Sequence, residues 1–151
     1  MVSIREYTPA DKPYLIALLR LNTPHYFSPE EEQDLINYLD NSIYKYFVLT
    51  KDENIVGAGG INLSDNFTIG ILSWDFFHPD YHGQGLGTTL TNYRIQKIKE
   101  ISTVTTMRVR TSQLTYKFYG KFGFKIRKIS KDYWAEGLDL YHMENSVNNI
   151  K

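Results

Sequence analysis

The sharpest chemical signal in the chain is a loop of three glycines spaced two apart, in Phe77-His78-Pro79-Asp80-Tyr81-His82-Gly83-Gln84-Gly85-Leu86-Gly87-Thr88-Thr89-Leu90. Glycine accepts positive φ and lets backbone N–H groups come close to a ligand. The residues from Gly85 onward read as an amphipathic helix, whose N-terminus adds a partial positive charge. Together these features describe a cradle for a pyrophosphate; a tight turn is the plainer use of the same glycines. Two other phosphate patterns fail on detail. A P-loop needs Lys after the last glycine, where Thr88 and Thr89 stand. A dinucleotide fingerprint needs glycine at position 88 and a place in the first strand–helix unit of a parallel sheet, whereas this loop follows a run of hairpins.

A second candidate is Asp75, in the otherwise apolar run Ile69-Gly70-Ile71-Leu72-Ser73-Trp74-Asp75-Phe76-Phe77. Strand alternation puts it on one face with Ser73 and Phe77, opposite Leu72, Trp74 and Phe76. An acid in such a run costs stability unless it is paired or wet. Asp75 therefore either borders a cleft, as a candidate general base, or pairs with Arg108 or Arg110 on a neighbouring strand.

The elements that must position these residues follow from periodicity and punctuation. Val2 to Tyr7 reads as a strand. Thr8-Pro9-Ala10-Asp11 opens a helix with Thr8 as N-cap and Pro9 at its first position. Ser28-Pro29-Glu30-Glu31 opens a second as a capping box, Glu31 reaching back to Ser28, and that helix runs to about Asn41 over Leu35, Ile36 and Leu39. Strands are expected over Tyr44–Thr50, Ile55–Leu63 and Phe67–Phe77, with turns at Asp52–Asn54 and Ser64–Asn66. A helix over Gly85–Ile101, a strand over Thr103–Arg110 and a short helix over Gln113–Phe122 follow, the last closed by Gly123 in the left-handed conformation. Phe124–Ser130 and Leu138–Met143 are the final strands, with Lys131–Glu136 a polar, aromatic break. The order β-α-α-β-β-β-α-β-α-β-β predicts an α/β (α+β) domain with a mixed, mostly antiparallel sheet of about seven strands and about four helices.

Length and composition set limits around this reading. The 151 residues suit one domain, expected over 1–144 with a polar tail at 145–151. Lys and Arg number 17 and Asp and Glu 17, a formal net charge of zero, and the basic residues look scattered, so neither nucleic acid nor a membrane surface is an expected partner. The absence of Cys excludes a disulfide scaffold, a Cys-based zinc site and a Cys nucleophile, and no metal site is expected. Met1–Glu6 carries charge by its fifth residue, and no run of apolar residues spans a membrane. A cytoplasmic location is the expectation. Twelve Tyr, eight Phe and two Trp make the chain rich in aromatics.

The glycine loop resembles the acetyl-CoA-binding motif of the GNAT superfamily of N-acetyltransferases, Gln/Arg-x-x-Gly-x-Gly/Ala, here His82-Gly83-Gln84-Gly85-Leu86-Gly87. A second block, Phe118-Tyr119-Gly120-Lys121-Phe122-Gly123-Phe124, is similar to the family's Phe/Leu-Tyr-Glu-Lys-x-Gly-Phe. His82 departs from the usual Gln or Arg, and Gly120 from a helix-favouring residue. Neither change touches a cradle made of backbone amides. The resemblance implies a GNAT-like single domain with acetyl-CoA as co-substrate, held by Phe77, His82, Gly83, Gln84, Gly85, Leu86, Gly87 and Thr88. It implies a backbone N–H near the end of the Phe67–Phe77 strand as oxyanion donor and Tyr119 as general acid to the departing thiolate. A phenol of pKa about 10 can protonate a thiolate whose conjugate acid lies near 8.5; packing the helix on the sheet is the other use of Tyr119. The base comes from Asp75 or from ordered water. Without Cys, direct attack of an amine on the thioester is expected.

The acceptor is expected to be an amine of a small molecule or a protein, met by Tyr26, Phe27, Glu31, Tyr133 and Trp134. Lys117 and Lys121 either meet CoA phosphates or are solvated surface residues. A homodimer is compatible with the sequence, which sets no oligomeric state. A non-catalytic acyl-CoA-binding module with the same fold is the alternative reading.

Overall fold

Short polar turns fold the apolar runs into hairpins. Asp52 and Glu53 both take positive φ, +51° and +71°, and return the chain between two strands. In the computed structural model, residues 1–64 and 66–149 are described; Asp65 of the expected turn, and Ile150 and Lys151 of the expected tail, lie outside the described residues. The strands are β1 (Val2–Glu6), β2 (Lys45–Lys51), β3 (Asn54–Leu63), β4 (Ile69–Phe77), β5 (Thr106–Thr111), β6 (Lys125–Ala135) and β7 (Leu138–Ser146). The helices are α1 (Lys12–Leu21), α2 (Glu31–Asn41), α3 (Leu86–Lys99) and α4 (Tyr116–Gly120). The strands form one sheet in the order β1-β2-β3-β4-β5-β7-β6. β4 and β5 pair in parallel, from Ile69 with Thr106 to Leu72 with Val109, while β1–β2, β2–β3, β5–β7 and β6–β7 are antiparallel. The expected mixed seven-stranded sheet with four helices is the fold observed.

Two compact units divide the chain, residues 1–61 with 74–96 and residues 62–73 with 97–151. In the first, Leu15, Leu18 and Leu19 of α1 and Leu35 and Leu39 of α2 pack with Tyr46 and Val48 of β2, Ala58 of β3 and Phe76 of β4. Each such leucine stabilises the fold by roughly 1.5–3 kcal/mol relative to exposure. Thr8 is the N-cap and Pro9 the first residue, as expected, but of a 3-10 turn, Pro9–Asp11, and α1 starts after it at Lys12. Asp11 closes that turn by accepting from Thr8 N at 2.9 Å. Arg5 donates two 2.8 Å bonds to the same carboxylate, which holds Asp11 below the usual range. Before α2, Glu31 reaches back to Ser28 N at 2.8 Å as expected, but the helix begins only at Glu31.

In the second unit β7 lies between β5 and β6. β6 runs through the expected break at Lys131–Glu136 as far as Ala135. It does so because Asp132 takes φ +54° in a bulge, and its carboxylate accepts from Gly137 N at 2.8 Å across the hairpin. α4 is shorter than expected and gives way to β6 through Gly123 at φ +92°. β7 extends to Ser146, so two residues of the expected tail belong to the sheet. Asn145 is buried there and donates to Phe122 O at 3.2 Å. Lys125, Arg127, Lys128 and Lys131 are exposed along β6, the last strand in the sheet order, where charge discourages pairing with another chain. No helix among the described residues is long and apolar enough to cross a membrane.

Candidate active site

Three glycines of β3 make room for side chains in the first unit. A Cβ on Gly57 would lie 2.4 Å from Phe77 Cδ1, one on Gly59 2.8 Å from Asp75 Cβ, and one on Gly60 2.5 Å from Tyr46 Cδ1. Their missing side chains are the space that Phe77, Asp75 and Tyr46 fill. Into the space at Gly59 also comes Arg94 of α3, a fully buried arginine. Its Nη2 donates to Asp75 Oδ2 at 2.8 Å and its Nη1 to Gly60 O at 3.3 Å.

Asp75 is therefore ion-paired, but with Arg94 rather than with Arg108 or Arg110. Arg108 binds Glu144 at 2.9 Å, and the bond with His142, with Arg108 second, holds that carboxylate below its usual range. Arg110 lies over the rings of Tyr133 and Trp134, 5.0 and 5.6 Å from their centroids.

The backbone of β4 explains the change of partner. Gly70 faces Ile98 of α3, so strict alternation would carry Trp74 to the same side. Instead Trp74 takes φ +49°, in the left-handed region that a bulky aromatic residue rarely adopts. Trp74 and Phe76 join the core beneath α1 and α2, and Asp75 and Phe77 turn to the side of Gly57, Gly59 and Arg94. The expected common face of Leu72, Trp74 and Phe76 is broken at residue 74.

Aromatic side chains gather at this bulge. Phe27 stacks on Trp74 at 6.1 Å with planes 12° apart, and Tyr38 leans on the same indole at 6.3 Å. Tyr26 meets the ring of His82 edge-on at 5.9 Å, which joins the loop after α1 to the glycine loop. Glu31 is buried on Ser28 N, and burial pushes its carboxyl above the usual range.

The glycine loop follows β4. His78 Nδ1 accepts from Asp80 N to start one 3-10 turn, Pro79–Tyr81, and the chain then passes through Gly83 at φ +83° and Gly85 at φ +78°. A Cβ at either glycine would meet nothing within 4 Å. The backbone angle, not crowding, requires glycine there. His82 to Gly85 are exposed and Leu86 is buried as the first residue of α3. The amides of a helix's first turn have no intrahelical acceptors, and this turn carries no acidic residue. Left-handed glycines opening onto such a helix end fit a pyrophosphate. Gln84 Oε1 accepts from Lys51 Nζ at 2.8 Å, and Phe77 O accepts from Asn22 Nδ2 at 2.9 Å. Gly87 and Thr88 lie in the first turn of α3.

In the second unit Tyr119 is buried on α4, its ring edge-on to Phe118 at 5.1 Å and Phe124 at 6.2 Å. Lys117 and Lys121 are exposed. Tyr133 Oη accepts from Arg110 Nη2 at 2.6 Å, and Trp134 Nε1 donates to Thr111 O at 3.1 Å. The bulge at Asp132 sets both aromatics against β5.

Sequence reasoning missed Arg94, Tyr46, Asn22 and the three β3 glycines. A signal existed for Arg94: it falls between Leu90 and Ile98 at spacings of four, on the buried row of its helix. Glycines inside a strand also mark close approach of another group.

The sequence matches the acetyltransferase (GNAT) domain family over residues 20–147, and the chain belongs to that family. This places it among the acyltransferases of GNAT type. Its fold is similar to that of the ribosomal-protein-S18-alanine N-acetyltransferase of Escherichia coli, with a TM-score of 0.81 at 19% identity over 97% of this chain and 94% of that one. An aminoglycoside 6'-N-acetyltransferase complexed with coenzyme A gives 0.78 at 18% identity over 96% and 97%. A spermidine N-acetyltransferase variant of Vibrio cholerae gives 0.74 at 14% identity over 97% and 94%. No curated protein matches the sequence.

Proposed function

We propose that the protein transfers an acetyl group from acetyl-CoA directly to a primary amine of a small molecule or a protein. The observation that carries this reading is the exposed loop with Gly83 and Gly85 left-handed at the start of a 14-residue helix. Acetyl-CoA supplies the acetyl group as an activated thioester. The amides from Gly83 to Thr88 bind the pyrophosphate, with Phe77 at the end of β4 and His82 and Gln84 flanking them. An amide of the β4 bulge stabilises the negative charge that develops on the carbonyl oxygen. Tyr119 gives its proton to the leaving thiolate.

Asp75 is engaged by Arg94, so its role is to hold the strand end, and the amine loses its proton to water. Tyr133 and Trp134 are the second unit's candidates for meeting the acceptor, and Tyr26 and Phe27, beside the bulge and the loop, are the first unit's. Glu31 supports them by fixing the turn at Ser28.

The test is calorimetry with acetyl-CoA followed by thiol release over an amine panel. The reading expects binding and amine-dependent release. Binding without release on any amine would leave only the cradle. Water as base also expects a rate that rises with pH as the neutral amine fraction grows, in Asp75→Asn as in the parent.

A further inference from the structure

The left-handed residue in β4 is costly for a tryptophan and persists only where its surroundings over-determine it. One group does so from the side of α1 and α2. Tyr46 of β2 is 2% exposed, and its hydroxyl donates to Trp74 O at 2.7 Å. Its ring is seated by the absence of a side chain at Gly60 and is met edge-on by Tyr7 at 5.9 Å and Tyr38 at 5.7 Å. Burial keeps the phenol well above its ordinary pKa, so it remains a donor.

The peptide it grips is Trp74–Asp75, a trans bond. In a trans peptide the C=O and N–H point in opposite directions. A donor that fixes Trp74 O therefore also fixes the heading of Asp75 N–H on the other side. The Asp75 side chain is tied separately, by Arg94. The peptide is thus held from one side by a phenol and just beyond it by a guanidinium.

We infer that Tyr46 is a positioning residue of the transfer reaction: its hydroxyl holds the Trp74–Asp75 peptide so that the Asp75 amide is aimed at the carbonyl oxygen of the acetyl thioester. This rests on the acetyl-transfer reading and adds a residue to it that touches neither substrate.

The experiment is Tyr46→Phe, which keeps the ring and removes the donor. Removing an oxyanion donor outright costs about 10²–10³ in kcat, so loosening its aim is expected to cost about tenfold. The dissociation constant of acetyl-CoA is expected to stay unchanged. A second readout is the infrared carbonyl stretch of bound acetyl-CoA labelled with carbon-13 at the carbonyl. It should lie below the free value in the parent protein and move back toward it in Tyr46→Phe. If Tyr46→Phe folds poorly, 3-fluorotyrosine at position 46 keeps the ring and the hydroxyl while altering the strength of the donor, and kcat and the carbonyl stretch should still move together.

Unchanged kcat and unchanged carbonyl frequency in Tyr46→Phe would overturn the inference. A parent protein that shifts the carbonyl through Tyr46 yet acetylates no amine would support the positioning role and sink the transfer reading. A parent that binds no acetyl-CoA would overturn both.

Discussion

The two units carry opposite charge. Residues 1–61 with 74–96 hold six Lys and Arg against eleven Asp and Glu, and 6 − 11 gives −5; residues 62–73 with 97–151 hold eleven against six, and 11 − 6 gives +5. The net charge of zero is therefore a cancellation, and the basic residues are concentrated rather than scattered. Yet the loop that fits a pyrophosphate lies in the acidic unit. The unit's net charge does not favour an anion there, so the proposed pyrophosphate site relies on local groups: backbone amides, a helix end and the nearby Lys51.

The units also bury polar groups differently. Among the described residues, Asp11, Asn22, Ser28, Glu31, Thr91 and Arg94 are buried in the first unit, against Ser112 and Asn145 in the second. Buried polar groups with partners fix geometry, and here they surround the β4 bulge and the turns before α1 and α2. The second unit wears its charge outside, along β6. Tyr119, proposed above as the acid, is a buried phenol of this unit.

The largest expected effect breaks the first unit's polar interior. Arg94→Leu leaves Asp75 without its buried cation and should cost about 3–5 kcal/mol in urea unfolding. Adding Asp75→Leu should recover a large part of that loss. A small effect of the single variant would mean that the pair does not organise this unit. Tyr119→Phe tests the second unit's share: kcat should fall about 100-fold with acetyl-CoA affinity preserved. Unchanged turnover would strip Tyr119 of the acid role.

Gly85→Val forces a branched side chain into a left-handed position at a cost of roughly 1–3 kcal/mol. Calorimetry should show acetyl-CoA affinity reduced at least about tenfold, and normal affinity would move the cradle elsewhere.

The smallest effect sets one carboxylate from each unit side by side. Glu31 has its folded pKa raised by burial, so its protonation favours the fold at low pH, and that gain is lost as pH rises through the folded pKa. Glu144 has its folded pKa lowered by His142 and Arg108, so its contribution is present above the ordinary value of 4.5 and lost as pH falls through the folded pKa. Glu144→Gln should therefore cost about 1 kcal/mol near neutral pH and less in acid. Glu31→Gln should be most harmful in acid. Opposite pH trends in chemical denaturation would sharpen the contrast, and parallel trends would remove it.

What the sequence reveals follows the range of the interaction. The glycine loop, the reach of Glu31 back to Ser28 and the left-handed Gly123 are legible because each is decided within a few residues. The ion pair of Asp75 is not, because its partner lies 19 positions away on a helix and alternation points to the neighbouring strand instead. Alternation fails because no property of tryptophan announces φ +49° at Trp74. The contacts of Trp74 come from distant residues: the Tyr46 hydroxyl on Trp74 O and the rings of Phe27 and Tyr38. The strand through Lys131–Glu136 was hidden for a similar reason, since only the hairpin supplies the partners of Asp132. Tyr119 is picked out by its motif, and its burial by itself reads as packing, so its role as acid stays a proposal.

The central claim is direct transfer from the thioester to an amine by a chain without cysteine. Mass spectrometry after reaction with carbon-13-labelled acetyl-CoA tests it most directly. The account predicts that the label appears on the amine, in amounts matching the thiol released, and that the protein stays unlabelled throughout. Label accumulating on the protein before it reaches the amine, or thiol released with no labelled amine formed, would contradict it.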